Sequence, residues 1–173
     1  MNTLKTQIRN LKKEIKRINE EEIKSKKSDQ ETLNKFNEDK KLLTEYKKRY
    51  FELLDEYEDR KKILDKYLDK KFKIKEEVNS KIWFFKKSYS EINFPKDLER
   101  SYDIAYRRVR EVEKDFKKLD KDYYNNMFLT VGTGAYGLIL NREEIINHFE
   151  SQFRRVDRTI KNFENRLNGY EEN

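Results

Sequence analysis

Residues 29–86 run for 58 positions without a glycine or a proline, and that feature limits the chain more than any other. Neither of the residues that most readily end a helix interrupts the stretch. In one seven-residue frame its a positions are Phe36, Leu43, Tyr50, Tyr57, Leu64, Lys71, Val78 and Phe85. Its d positions are Asp39, Tyr46, Leu53, Arg60, Tyr67, Ile74 and Lys81. Eleven of these fifteen are apolar or aromatic, which draws one stripe along one side of a helix. Such a helix would be roughly 87 Å long at 1.5 Å per residue, more than an ordinary globular domain houses. The stretch is therefore expected to be a spine against which the rest packs.

Composition bears on how the spine is covered. Charged residues make up 43% of the chain and the AVILMFWYC set 35%, too little apolar volume for a compact sphere. A slender bundle needs only one stripe per helix. High charge with low hydropathy also marks disordered chains, but eleven Phe, eleven Tyr and regular stripes argue for order.

Upstream, Leu4, Ile8, Leu11, Ile15 and Ile18 step by 4, 3, 4 and 3, a short heptad helix. The next seam positions, Glu22, Ser25, Asp29 and Thr32, are polar, and Ser28-x-x-Glu31 has the form of a capping box. This predicts a break near 25–28, with the first helix folding back along the spine. The frame itself survives the gap, because Ile8 and Phe36 lie 28 residues apart, so one continuous helix is the alternative.

Beyond the spine stands the only proline, Pro95, at the start of a third helix with Asp97 and Glu99 in its first turn. Leu98, Tyr102, Ala105, Val109, Val112, Phe116, Leu119 and Tyr123 fill its seam over about 96–126. Residues 123–141 then carry no charge and hold three of the four glycines. Asn141-x-x-Glu144 resembles an N-cap with its reciprocal glutamate. A fourth helix over about 142–170 shows Ile146, Phe149, Phe153, Val156, Ile160, Phe163, Leu167 and Tyr170 at its seam. The expected fold is all-α. It is an elongated antiparallel coiled-coil bundle in one domain: an N-terminal heptad helix (1–27), a spine (28–90), and a helix 3–helix 4 hairpin (95–173) joined by an apolar, glycine-containing loop.

Chemistry-bearing motifs are sparse. Gly132-Thr-Gly134-Ala-Tyr-Gly137 has the G-x-G-x-x-G spacing but lacks the βαβ context that makes it a phosphate cradle. There is no cysteine, and His148 is the only histidine, so neither thiolate nor multi-histidine metal sites nor a histidine triad with a cysteine nucleophile is available. No catalytic residue, metal ligand or cofactor is assigned. The net charge of +7 is spread over interleaved signs with i,i+4 pairs such as Glu20–Lys24, Glu58–Lys62 and Glu113–Lys117, the pattern of solvated helix surface.

Two surfaces remain as binding candidates. The connection between helices 3 and 4 is about fifteen residues, where an antiparallel pair needs about 2–8. Its Phe128, Leu129, Val131, Tyr136 and Leu138, with Trp83 at the end of the spine, are expected to seal the bundle or to meet a partner protein or membrane interface. On helix 3, Arg107, Arg110, Lys114 and Lys117 make a basic stripe able to face a nucleic-acid backbone, although Glu111, Glu113 and Asp115 are interleaved.

Phe153-x-x-x-Asp157 is similar to the export motif of small helical-hairpin proteins of type VII secretion, which implies a secreted or membrane-interface hairpin. The same spacing occurs at Phe51/Asp55 and Phe116/Asp120. The Trp-x-Gly turn of that group has no counterpart, since Trp83 is followed by Phe84 and Phe85. The N-terminus has no apolar core of a signal peptide and no segment reaches about 20 apolar residues. A cytoplasmic location is expected, with leaderless export compatible. The function expected from the residues is that of a non-catalytic coiled-coil interaction or scaffold protein (adaptor or inhibitor type) that binds another protein and has the makings of a homo-oligomer.

Overall fold

A computed structural model describes residues 2–82, 84–128 and 141–170. Among them are three α-helices and one 3-10 turn: α1 (Asn2–Lys81), the turn Tyr89–Glu91, α2 (Lys96–Asn126) and α3 (Arg142–Gly169). The described residues are thus all-helical.

The break expected near 25–28 does not occur. α1 runs through it, and Thr32 Oγ1 donates to the Ser28 carbonyl (2.9 Å) inside the helix, so Ser28 is no cap. The reason is local. Residues 19–35 contain neither glycine nor proline and are rich in Glu and Lys, good helix formers. A polar seam removes a packing partner without removing the helix.

The chain divides into two compact units. The first comprises residues 1–45, 127–133 and 147–173. Here α3 runs antiparallel to α1: Lys40 pairs with Asp157 (2.6 Å), Phe36 meets Phe163 (5.8 Å between centroids), and Asp29 pairs with Arg166 (3.2 Å). Tyr170 reaches Ser25 Oγ (2.7 Å) and donates to Asp29 Oδ2 (3.3 Å). Leu33, Phe36, Leu43, Phe149, Val156, Ile160 and Leu167 are buried.

The second unit comprises residues 46–126 and 134–146. α2 also runs antiparallel to α1. Tyr46 stacks edge-on to Tyr123 (5.2 Å) and accepts from Asn126 Nδ2 (2.7 Å), and Tyr50 packs on Phe116 and donates to Asp120. Further along, Leu64 meets Ala105 and Val109. The link between α1 and α2 is stitched by Asn79, which accepts from the Lys87 N–H (2.9 Å) and donates to its carbonyl (3.4 Å). Burial pushes the Tyr50 hydroxyl strongly up, with the Asp120 hydrogen bond second, so it stays a donor.

Helix α2 thus takes α1 as antiparallel partner in the second unit, and α3 does so in the first. Within the second unit α2 ends beside Tyr46, while α3 begins where Arg142 meets Asp55 (2.6 Å) and Glu58 (3.0 Å). At the start of α2 the Pro95 carbonyl accepts from the Glu99 N–H (3.0 Å), and the expected cap Asn141 accepts through Oδ1 from the Glu143 and Glu144 N–H (2.9 and 3.4 Å). At the start of α3 the fully buried residue is Ile145, one place before the expected Ile146.

Asp39 is 1% exposed, and its Oδ1 accepts the Phe128 N–H at 2.8 Å. Asp39→Ala should lower stability by about 1–3 kcal/mol, because it strands a backbone donor. Asp39→Asn, which keeps the acceptor, should cost less. Urea unfolding of the two variants checks the order, and equal losses would show that this bond does not matter.

Candidate interaction surfaces

In the first unit, packing on α1 starts at Ser25. Everything on its seam before that is uncovered: Leu4 is 67% exposed, Ile8 47%, Leu11 59%, Ile15 56% and Ile18 52%. These five are the a and d residues of the same frame that buries Phe36 and Leu43 further along. The first helix was expected to fold back and bury them. Because α1 is continuous, they point along a face with no covering element among the described residues. Scattered exposed apolar side chains are ordinary, whereas five in register on one helix face form a surface that water solvates poorly.

The second unit has a shallow groove of about 260 Å³ between α1 and α2, lined by Arg60, Ile63, Tyr67, Ile104, Ala105 and Arg108. Ile63 and Ile104 are 49% and 40% exposed. Arg60 forms one wall. It donates to the Arg108 carbonyl (2.7 Å) and pairs with Glu111 (3.3 Å) and Glu56 (2.5 Å), so its charge is answered where it crosses the seam. Lys71, the next cation in the seam, sits over the rings of Tyr102 (4.5 Å) and Phe94 (4.6 Å). Neither Ile63 nor Ile104 occupies a seam position, so heptad reasoning passed over the groove. It exists because two helices cover each other on one side only.

Of the loop residues singled out from sequence, Leu129, Val131, Tyr136 and Leu138 lie outside the described residues, as do Trp83 and the Gly132–Gly137 motif. Phe128 is described. It is half-exposed, edge-on to Phe36 (5.3 Å), with Lys35 Nζ 5.0 Å from its ring centroid. Its neighbour Met127 is buried. The beginning of the connection is therefore fixed to the first unit by packing and by the Asp39 hydrogen bond.

The basic stripe lies exposed on α2. Arg110 is paired with Glu113 (2.5 Å), and Arg107 Nε donates to the Asp103 carbonyl (3.4 Å). Lys114 and Lys117 share that face with Glu111 and Asp115, so the field there is mixed in sign.

His148 is half-buried against Phe149 (5.4 Å) in the first unit. Among the described residues no group of three or more His, Cys, Asp or Glu side chains is placed to hold a metal ion. Among them, too, no helix is long and apolar enough to cross a membrane. No protein-family model, no curated protein and no solved structure matches the chain.

Burial holds the His148 imidazole below its ordinary value of 6.5. The unfolded chain therefore takes up the proton first. The stabilisation from keeping His148 neutral is present above pH 6.5 and is lost as pH falls below it. His148→Gln should flatten the dependence of unfolding free energy on pH over that interval. An unchanged slope in chemical denaturation would show that His148 titrates alike in both states.

Proposed function

We propose that the protein is a non-catalytic coiled-coil interaction protein, of scaffold, adaptor or inhibitor type, that works by presenting helix faces to a protein partner. The observation that carries this reading is the exposed stripe Leu4, Ile8, Leu11, Ile15 and Ile18. A helix already held in register by its own downstream packing offers a preformed apolar seam, so a partner helix would meet little of the ordering cost that a flexible peptide imposes. The groove at Ile63 and Ile104 offers a second, smaller apolar site.

Nucleic-acid binding through Arg107, Arg110, Lys114 and Lys117 has weaker support, because acidic residues share that face and Arg110 already has a carboxylate partner. Nor does any described feature favour a membrane-interface or type VII-secretion-like role. Salt-dependent titration should register no binding to DNA or RNA even at low salt, where phosphate contacts are strongest. Measurable, salt-steep affinity that disappears when those four residues are reversed to Glu would replace the present reading.

The stripe itself is tested by an Ile8→Asp, Ile15→Asp double variant. Both positions are exposed in the single chain, so its circular dichroism and its unfolding midpoint at low protein concentration should stay close to the parent. Affinity capture from the native host, compared by mass spectrometry, should lose the stripe-dependent partner. Identical capture by parent and variant would remove the stripe from the function.

A further inference from the structure

We infer that the occupant of the N-terminal stripe is a second copy of this chain, paired in parallel over residues 4–21; this rests on the helix-face reading above and names its partner. Three observations converge. The first is side-chain shape. In the frame of α1 the a positions are Ile8 and Ile15, and the d positions are Leu4 and Leu11, with Ile18 closing the run. β-branched isoleucine at a with leucine at d is the arrangement that favours two parallel strands over higher orders. All five are about half exposed or more, so they are free to be covered.

The second observation is charge. The flanking g positions are Gln7, Glu14 and Glu21, and the e positions are Lys5, Lys12, Asn19 and Lys26. In a parallel pair, g of one chain faces e of the other five residues on. Gln7 then faces Lys12 and Glu14 faces Asn19, with no like-charged contact. An antiparallel pair sets e against e and g against g, which brings Lys beside Lys and Glu beside Glu.

The third observation is where the stripe stops. Glu22, Ser25, Asp29 and Thr32 make the seam polar. At that level Tyr170 reaches Ser25 (2.7 Å) and Arg166 reaches Asp29 (3.2 Å). So α3 takes up the seam where its apolar run ends. The polar positions mark a fork: before them two copies of α1 share a seam, and after them each α1 turns to its own α3. Such a two-fold pair is isologous and closes on itself, so it stops at a dimer.

Sedimentation equilibrium of the full chain over a series from about 1 μM to 1 mM should fit a reversible monomer–dimer equilibrium. Ile8→Asp should raise the dissociation constant roughly a hundredfold or more, by setting two carboxylates in the seam. Asn19→Lys gives Glu14 a cation to face in the parallel pair and should tighten it by about two- to fivefold. In an antiparallel pair the same change puts a second lysine against Lys5. Weakening by Asn19→Lys would thus overturn the parallel arrangement, and a trimer or higher order would overturn the two-stranded one. A monomer throughout the series would overturn self-pairing. If host capture then still depends on Ile8 and Ile15, the helix-face reading stands with another protein as occupant; if it does not, both fall.

Discussion

The structure depends on one apolar stripe drawn along an uninterrupted helix. Burying that stripe is the main favourable term available to a chain with so little other apolar material. The helix cannot fold back on itself, because nothing within α1 ends it. Partners must come from α2 in one unit and from α3 in the other, and each lies antiparallel to it. Where neither reaches, the apolar side chains of residues 4–18 stay in water. The exposed face is thus a consequence of the same continuity that organises the buried one.

Polar residues in the seam set how the helices sit within each unit. Asp29, Asp39, Arg60 and Lys71 all occupy a or d positions, where an unanswered charge is costly. Each is answered: Asp29 by Arg166 and Tyr170, Asp39 by the Phe128 amide, Arg60 by two carboxylates and a carbonyl, and Lys71 by two aromatic faces. Sliding either later helix by one turn would separate these groups while leaving apolar side chains against apolar side chains. The hydrophobic stripe alone would tolerate that slip. The polar positions would not, which is the role of buried polar residues in coiled coils. The tyrosines add to this. Tyr46 and Tyr50 bury their rings and deliver their hydroxyls to Asn126 and Asp120 at the margin of the second unit.

Two apolar surfaces stay open among the described residues, the N-terminal stripe and the groove at Ile63 and Ile104. On the proposed reading, a helix face of isoleucine and leucine with lysine and glutamate on its flanks would discriminate partners by seam shape and by charge pairing. The groove beside Arg60 and Arg108 offers apolar contact walled by cations. The α2 stripe, by contrast, mixes signs closely enough that no strong field extends from it.

Local rules determined the helices themselves. The 3.5-residue stripes, the absence of breakers, Pro95 with Asp97 and Glu99, and the Asn141 cap placed α2 and α3 within a residue or so of their ends. These are signals carried by neighbours in the chain. One expectation failed, and the reason is general. A polar seam at 22–32 predicts a break, yet a seam pattern does not state which helix another will meet. Heptad patterns mark a face as apolar and are nearly degenerate in partner, direction and register. The choice fell to contacts remote in sequence, such as Tyr170 on Ser25, Arg166 on Asp29 and Arg142 on Asp55 and Glu58. The open stripe was likewise legible as a stripe from residues 4–18 alone. That it stays uncovered within its unit was settled only by where α3 ends on α1, because burial belongs to the pair of surfaces and not to either sequence.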